Sequence, residues 1–251
     1  MENNPKPQPV SRRPGKVCII TFGCQMNEAD SELIAAAFRK KGIELSADLR
    51  SADAVVVNTC TVRQRAEDKA ISQIGRLAKW KLERPDGKLF IMGCAAQRLG
   101  EKRLKNQFPF IDGVLGAKEL NSLEKMLDAH FRQPKAPGPE ISKSPFSASV
   151  TVMRGCSLKC SYCVVPSVRG EAVVIEPEAI LAEVRAKAAA GARAIILLGQ
   201  TVNAYRHGKT TFAGLLAKVC AVKEVKRVSF MSPHPLFFDK AFFELLKSEP
   251  K

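Results

Sequence analysis

Long apolar runs are missing from this chain, and so are acidic residues in the number needed to balance its basic ones. No segment approaches the ~18–20 consecutive apolar residues that cross a bilayer, which excludes a membrane-spanning helix. The opening MENNPKPQPVSRRPG has no apolar core, which excludes a secretory signal there. It also lacks the Arg- and Ser-rich amphipathic pattern of a transit peptide, so a cytoplasmic setting is expected over an organellar one. Low-complexity tracts and internal repeats are absent too. Only 25 Asp and Glu stand against 40 Lys and Arg, leaving a net charge of +15 over 251 residues. Such an excess favours a polyanionic partner, most simply a nucleic acid, over an inert basic surface. A hydrophobic share of 45% excludes bulk disorder. Eight cysteines without a signal peptide point to a reducing compartment, where thiols serve as ligands or nucleophiles more often than as disulfides.

Residues 1–15 carry four prolines and little apolar content, and read as a disordered leader. From Lys16 to Phe131 short apolar stretches alternate with amphipathic ones. VCIITF precedes DSELIAAAFRKKG, AVVVN precedes AEDKAISQIGRLAKWKLE, and KLFIM and DGVLG precede ELNSLEKMLDAHF. Leu33, Ile34, Ala37 and Phe38 share one helical face, and Gly42 stands where a helix C-terminus wants it. That alternation predicts a doubly wound parallel sheet covered on both faces, an α/β domain over 16–131. Residues 132–147, RQPKAPGPEISKSPFS, read as a linker. The rhythm then restarts over 148–251 as three βα units: SVTVMR, RAIILLG and RVSFMS, each followed by a helical stretch.

Three of the five strands expected in the first domain end in a cysteine: Cys24, Cys60 and Cys94. In a parallel sheet the carboxyl ends share one edge, where ligands bind. Three thiols there suit an iron–sulfur cluster or zinc, against the plainer reading of three small buried residues. The second set is sharper. RGCSLKCSYC places Cys156, Cys160 and Cys163 as C-x₃-C-x₂-C directly after a strand. Three thiolates hold a cluster but leave one iron open to a substrate or cofactor. Zinc is the alternative, with His207 or His234 as fourth ligand, although neither has ligand spacing to the triplet. Cys18 and Cys220 fall on apolar faces and read as core; His130 ends a helix, where its ring favours the dipole. Arg63, Arg65 and Arg76 could meet phosphate or simply form a solvated helix face.

The C-x₃-C-x₂-C run with an aromatic before its third cysteine, opening a βα barrel, resembles the radical S-adenosylmethionine (SAM) superfamily. FGCQMNEADSE, VVNTCTVRQRAE, MGCAAQ, VMRGCSLKCSYCVVPSVRG, LLGQTVNAY and SPHP together resemble its methylthiotransferase branch, most closely the MiaB-type enzymes that act on tRNA. The resemblance implies the following. The fold is an α/β domain followed by the first half of a radical SAM barrel, itself a partial TIM-type barrel. Cys156, Cys160 and Cys163 hold a 4Fe–4S cluster that binds and reductively cleaves SAM. Tyr162 packs near the adenine, and Gly199, Gln200 and Asn203 line the SAM pocket. Cys24, Cys60 and Cys94 hold an auxiliary 4Fe–4S cluster that delivers sulfur. The product is 2-methylthio-N6-isopentenyladenosine beside the anticodon, with tRNA as partner, a flavodoxin- or ferredoxin-like electron donor and a sulfur donor. Family barrels have six βα units and a further tRNA-binding β-domain. The chain is therefore expected to be the N-terminal portion of a longer, monomeric protein, or a truncated copy. A truncated copy could bind nucleic acid or a partner without turnover, and threonylcarbamoyladenosine in tRNA or a ribosomal protein are alternative substrates. The run EAVVIEP also lacks the Ser-Arg that family members carry before Pro177.

Overall fold

The computed structural model describes residues 15–131 and 146–251. Residues 1–14 of the expected leader and 132–145 of the expected linker lie outside the described residues. The N-terminal unit runs β1 (Lys16–Thr21), α1 (Gln25–Lys40), β2 (Glu44–Leu45), β3 (Ala54–Thr59), α2 (Gln64–Glu83), β4 (Lys88–Gly93), α3 (Cys94–Leu99), α4 (Glu101–Gln107), β5 (Gly113–Gly116) and α5 (Leu123–His130). Its five strands form one all-parallel sheet in the order β2-β1-β3-β4-β5.

Every residue of β3 is buried, because side chains alternate between two covered faces. Val56 joins Val17, Ile34, Phe38, Phe90 and Leu127 under α1 and α5. Val55 and Val57 join Ile74, Leu77, Trp80, Leu89 and Leu104 under α2 and α4. This is the doubly wound sheet expected from the alternation, and its order reverses between β1 and β3. In open α/β sheets that reversal opens a crevice beyond the strand ends.

Two local expectations change. ELNSLEKMLDAHF forms a 3₁₀ stretch at Ala117–Ser122 before α5, rather than one α-helix. Side chains capture its amides: Glu119 Oε2 accepts from Gly116 N at 3.1 Å, and Gln97 Oε1 from Lys118 N at 3.1 Å. The His130 pKa is lowered by burial, its ring standing edge-on to Phe90 at 5.0 Å, so the expected dipole benefit does not govern it.

The C-terminal unit runs β6 (Ser147–Thr151), β7 (Met153–Arg154), α6 (Val165–Arg169), β8 (Val173–Val174), α7 (Pro177–Ala189), β9 (Ala194–Leu198), β10 (Arg206–His207), β11 (Thr210–Thr211), α8 (Phe212–Cys220), β12 (Arg227–Phe230) and α9 (Lys240–Ser248). Strands β6, β9 and β12 form a parallel sheet in the order β12-β9-β6, the three βα units of a partial barrel. SVTVMR is not one strand. It breaks at Val152, and β7 turns aside to pair antiparallel with β8. Ile195 and Leu197 face the helices, packing with Ile180, Val184, Leu215 and Val219. Leu198 and Ile196 face the other way and meet Met26 and Ala29 of α1. One amide of the edge strand β12, Val228 N, donates to Lys251 O at 3.1 Å. Cys18 and Cys220 are buried among apolar neighbours, as expected.

Candidate functional site: two cysteine sets at two sheet edges

Cys24 caps α1 three residues beyond β1, Cys60 follows β3 directly, and Cys94 begins α3 directly after β4. They belong to three adjacent strands, and the first two flank the order reversal. A buried amide network fixes their loops. Asn27 Nδ2 donates to Asn58 Oδ1 at 3.2 Å and to Thr59 O at 2.9 Å. Asn58 Nδ2 returns bonds to Asn27 O at 2.8 Å and Ser31 Oγ at 2.9 Å. Thr59 Oγ1 donates to Met92 O at 2.6 Å and accepts from Ala96 N at 3.2 Å. The first part of α1 is thereby tied to the end of β3, and the end of β3 to the start of α3. Gly93 has φ +97°, and a Cβ there would stand 2.4 Å from Thr59 O.

Cys60 lies beside Cys24, and the interaction of the two thiols lowers the Cys24 pKa to about 5 and raises that of Cys60. Backbone amides of Met26 and Asn27 at the start of α1, with the charge of Arg169, support the Cys24 thiolate. Burial pushes the Cys94 thiol up; the charge of Arg169 pulls the other way. Arg169 comes from α6 of the C-terminal unit. Its Nη2 lies 2.9 Å from Asp30 Oδ2, and Arg154 Nη1 lies 2.5 Å from Asp30 Oδ1. A second link joins Lys187 Nζ to Glu32 Oε2 at 2.9 Å.

Cys156, Cys160 and Cys163 lie on the loop between β7 and α6. Cys156 N donates to Gly170 O at 3.0 Å, and Cys163 N to Cys160 O at 3.1 Å, so the loop folds back on itself. Cys156 is buried with its Sγ 3.2 Å from Thr201 Oγ1, a neighbour that sequence reasoning did not single out. Among the described residues no three His, Cys, Asp or Glu side chains close around one point as a single metal ion requires. A cluster of four irons reaches thiolates set farther apart than one ion does. Three cysteines and no carboxylate or imidazole in each set make a soft donor set that fits iron–sulfur chemistry.

The remaining expected residues divide. Gln200 Oε1 is buried with no hydrogen-bond partner, an acceptor free for a ligand's N–H or O–H. Asn203 uses its amide on the chain itself: Nδ2 donates to His234 O at 2.8 Å and Oδ1 accepts from His234 N at 2.7 Å. Gly199 makes room for Met153, whose Cγ would stand 2.6 Å from a Cβ there. Tyr162 is 89% exposed and packs on nothing. His234 Nδ1 accepts from Leu236 N at 3.2 Å, a local cap on the following turn. Arg63, Arg65 and Arg76 are all exposed.

Residues 16–116 match the family described as uncharacterized protein family UPF0004, and residues 150–250 match the Radical SAM superfamily. A tRNA-2-methylthio-N(6)-dimethylallyladenosine synthase of Endomicrobium trichonymphae is 39% identical over 236 residues, covering 93% of this chain and 56% of that protein. A synthase of the same name from Campylobacter hominis is 38% identical, covering 92% and 56%. The chain thus spans just over half the length of these curated relatives. Among solved structures, the radical SAM methyltransferase TsrM of Kitasatospora setae, with cobalamin and a 4Fe–4S cluster bound, superposes with a TM-score of 0.62 at 14% identity, covering 94% of this chain and 59% of that one. That likeness speaks for the fold. Through residues 150–250 the chain belongs to the radical SAM superfamily, and through residues 16–116 to the family UPF0004.

Proposed function

We propose that the chain carries the cluster- and SAM-binding machinery of a radical methylthiotransferase that acts on N6-isopentenyladenosine in tRNA. The observation that carries this reading is the pair of three-cysteine sets, one beyond the strand ends of each parallel sheet. In it, Cys156, Cys160 and Cys163 hold one 4Fe–4S cluster, and Cys24, Cys60 and Cys94 hold a second. The relatives' shared name supports both the reaction and the tRNA substrate. A cluster with an open iron, when bound, supplies the electron that cleaves SAM, the radical chemistry an unactivated ring C–H demands.

The chain's own residues have simpler tasks. Thr201 steadies Cys156, and the β7–β8 ribbon holds the triplet loop against Gly170. Gln200 offers its free acceptor to SAM. Asn203 holds the following turn to His234 and so shapes the wall of the pocket without binding the ligand. The surplus of basic residues attracts the RNA backbone, so affinity for tRNA falls steeply with salt. The eight described cysteines are all free thiols, which suits a cytoplasmic setting; a flavodoxin- or ferredoxin-like reductant and a sulfur donor complete the partners.

The test is anaerobic reconstitution of the full chain with iron and sulfide, followed by metal analysis and a reductive SAM-cleavage assay. About eight irons per chain are expected, falling to about four in the Cys156/Cys160/Cys163→Ala variant with loss of cleavage. Zinc uptake without sulfide overturns the reading.

A further inference from the structure

The group that borders the Cys24–Cys60–Cys94 set from the C-terminal unit is Arg169. Its side chain is only 5% exposed, and burial alone works against its charge. Asp30, 3% exposed, is the main group that opposes that cost. Asp30 is shared, however: Arg154, its side chain 27% exposed, takes the other carboxylate oxygen. One carboxylate against two guanidiniums leaves a surplus of one positive charge. Arg169 brings that surplus to the cysteine set: α6, which bears it, packs against α3, which Cys94 begins, and its guanidinium grips Asp30 on α1, which Cys24 caps. A buried surplus charge is stable only against an anion. The Cys24 thiolate already places one negative charge there, and an anionic cluster held by three thiolates extends it over the whole set.

The helix that bears Asp30 also bears Cys24 at its cap, so the triad fixes Arg169 relative to the cysteines through a rigid element. The planar fork of arginine, with one donor on a carboxylate and others free, suits this double duty better than a lysine ammonium. We propose that Arg169 is a positioning residue that completes the Cys24–Cys60–Cys94 site across the two units and sets the reduction potential of the cluster bound there. The inference rests on the two-cluster reading above. Fixed positive charge favours the reduced, more negative state of a cluster, and fixed negative charge opposes it.

The test uses the full chain in the Cys156/Cys160/Cys163→Ala background, reconstituted anaerobically so that iron and sulfide bind only at the first set. The midpoint potential is read by a redox titration followed by electron paramagnetic resonance. Arg169→Gln is expected to shift the reduction equilibrium at least tenfold toward the oxidised state, about 59 mV for one electron. Arg169→Lys recovers most of that shift. Asp30→Asn, which breaks the same triad but removes a negative charge, shifts the potential in the opposite sense. Damage to packing alone moves both variants the same way, so shifts of one sign overturn the proposal, as do equal potentials in all variants. Should Arg169→Gln fail to fold, Asp30→Asn still decides: a shift toward the oxidised state, or none, overturns the proposal. Failure of the parent background to bind iron and sulfide at all overturns the two-cluster reading and this inference with it.

Discussion

Asn58→Ala tests the claim that buried amides, rather than the thiols themselves, position the first cysteine set. Asn58 is fully buried and takes part in three bonds: Nδ2 to Asn27 O at 2.8 Å, Nδ2 to Ser31 Oγ at 2.9 Å, and Oδ1 from Asn27 Nδ2 at 3.2 Å. Truncation removes all three, each contributing about 1 kcal/mol net. Ser31 keeps Thr21 as partner, but one amide hydrogen of Asn27 is left in a dry interior, adding about 1 kcal/mol more. The expected loss is therefore about 3–4 kcal/mol. The chain's single tryptophan, Trp80, is buried under the same sheet, so its fluorescence follows unfolding of this unit. With a urea slope of about 1.5–2 kcal/mol/M, the midpoint falls by about 2 M. A fall below about 0.5 M means the network is replaceable by water, and the reasoning fails.

Three further predictions follow from other parts of the structure. Asp112 bonds Lys81 Nζ at 2.7 Å and Leu89 N at 2.8 Å; against the effect of burial, these partners hold its carboxyl below the usual value. Its contribution is therefore present above the unfolded pKa of about 3.9 and is lost as pH falls through the lower folded value. The urea midpoints of the parent and Asp112→Asn, well apart at pH 6, converge toward pH 3, and a constant gap contradicts this. Gly155 has φ +74°, and a Cβ there would lie 2.1 Å from Glu171 O, so Gly155→Ala forces the Cys156 loop open. Strain of about 1–3 kcal/mol plus that overlap is expected to halve the iron bound while leaving the Trp80 transition in place; full iron loading refutes it. Phe90 is fully buried between Phe38 and Phe131, at ring distances of 6.4 and 6.0 Å. Phe90→Ala costs about 3–5 kcal/mol in the same unfolding assay.

Apolar runs of four to six residues between amphipathic stretches were sufficient to read both parallel sheets, because strands covered on two faces have no polar side to disguise them. The cysteines were legible for a related reason: a parallel sheet collects its carboxyl ends, so residues 36 and 34 positions apart come to one edge. β2, two residues on a sheet edge, has no periodicity by which to place it. Asp30 sits in EADSE, which reads as a solvated acidic turn of helix; only partners 124 and 139 residues away make it a buried anion. Asn203 and Tyr162 show a different limit. Motif position alone pointed both at a ligand; that Asn203 pairs with His234 and that Tyr162 stands exposed depends on backbone geometry no motif displays.

The long separation between Asp30 and its two arginines also sets an order of events during synthesis. The N-terminal sheet pairs strands close in sequence and folds as a unit while the rest of the chain is still being made. At about 5–20 residues per second, Arg154 follows the end of that unit at Phe131 by about 1–5 s, and Arg169 by about 2–8 s. For that interval the face of α1 bearing Met26, Ala29 and Asp30 is open to water, and the cysteines have no positive wall. The carboxylate keeps that nascent face soluble, then becomes the anchor on which the second unit closes. Asp30 thus stands at the surface of the first unit until its two arginines are made, and becomes a fixed part of the interior only with them.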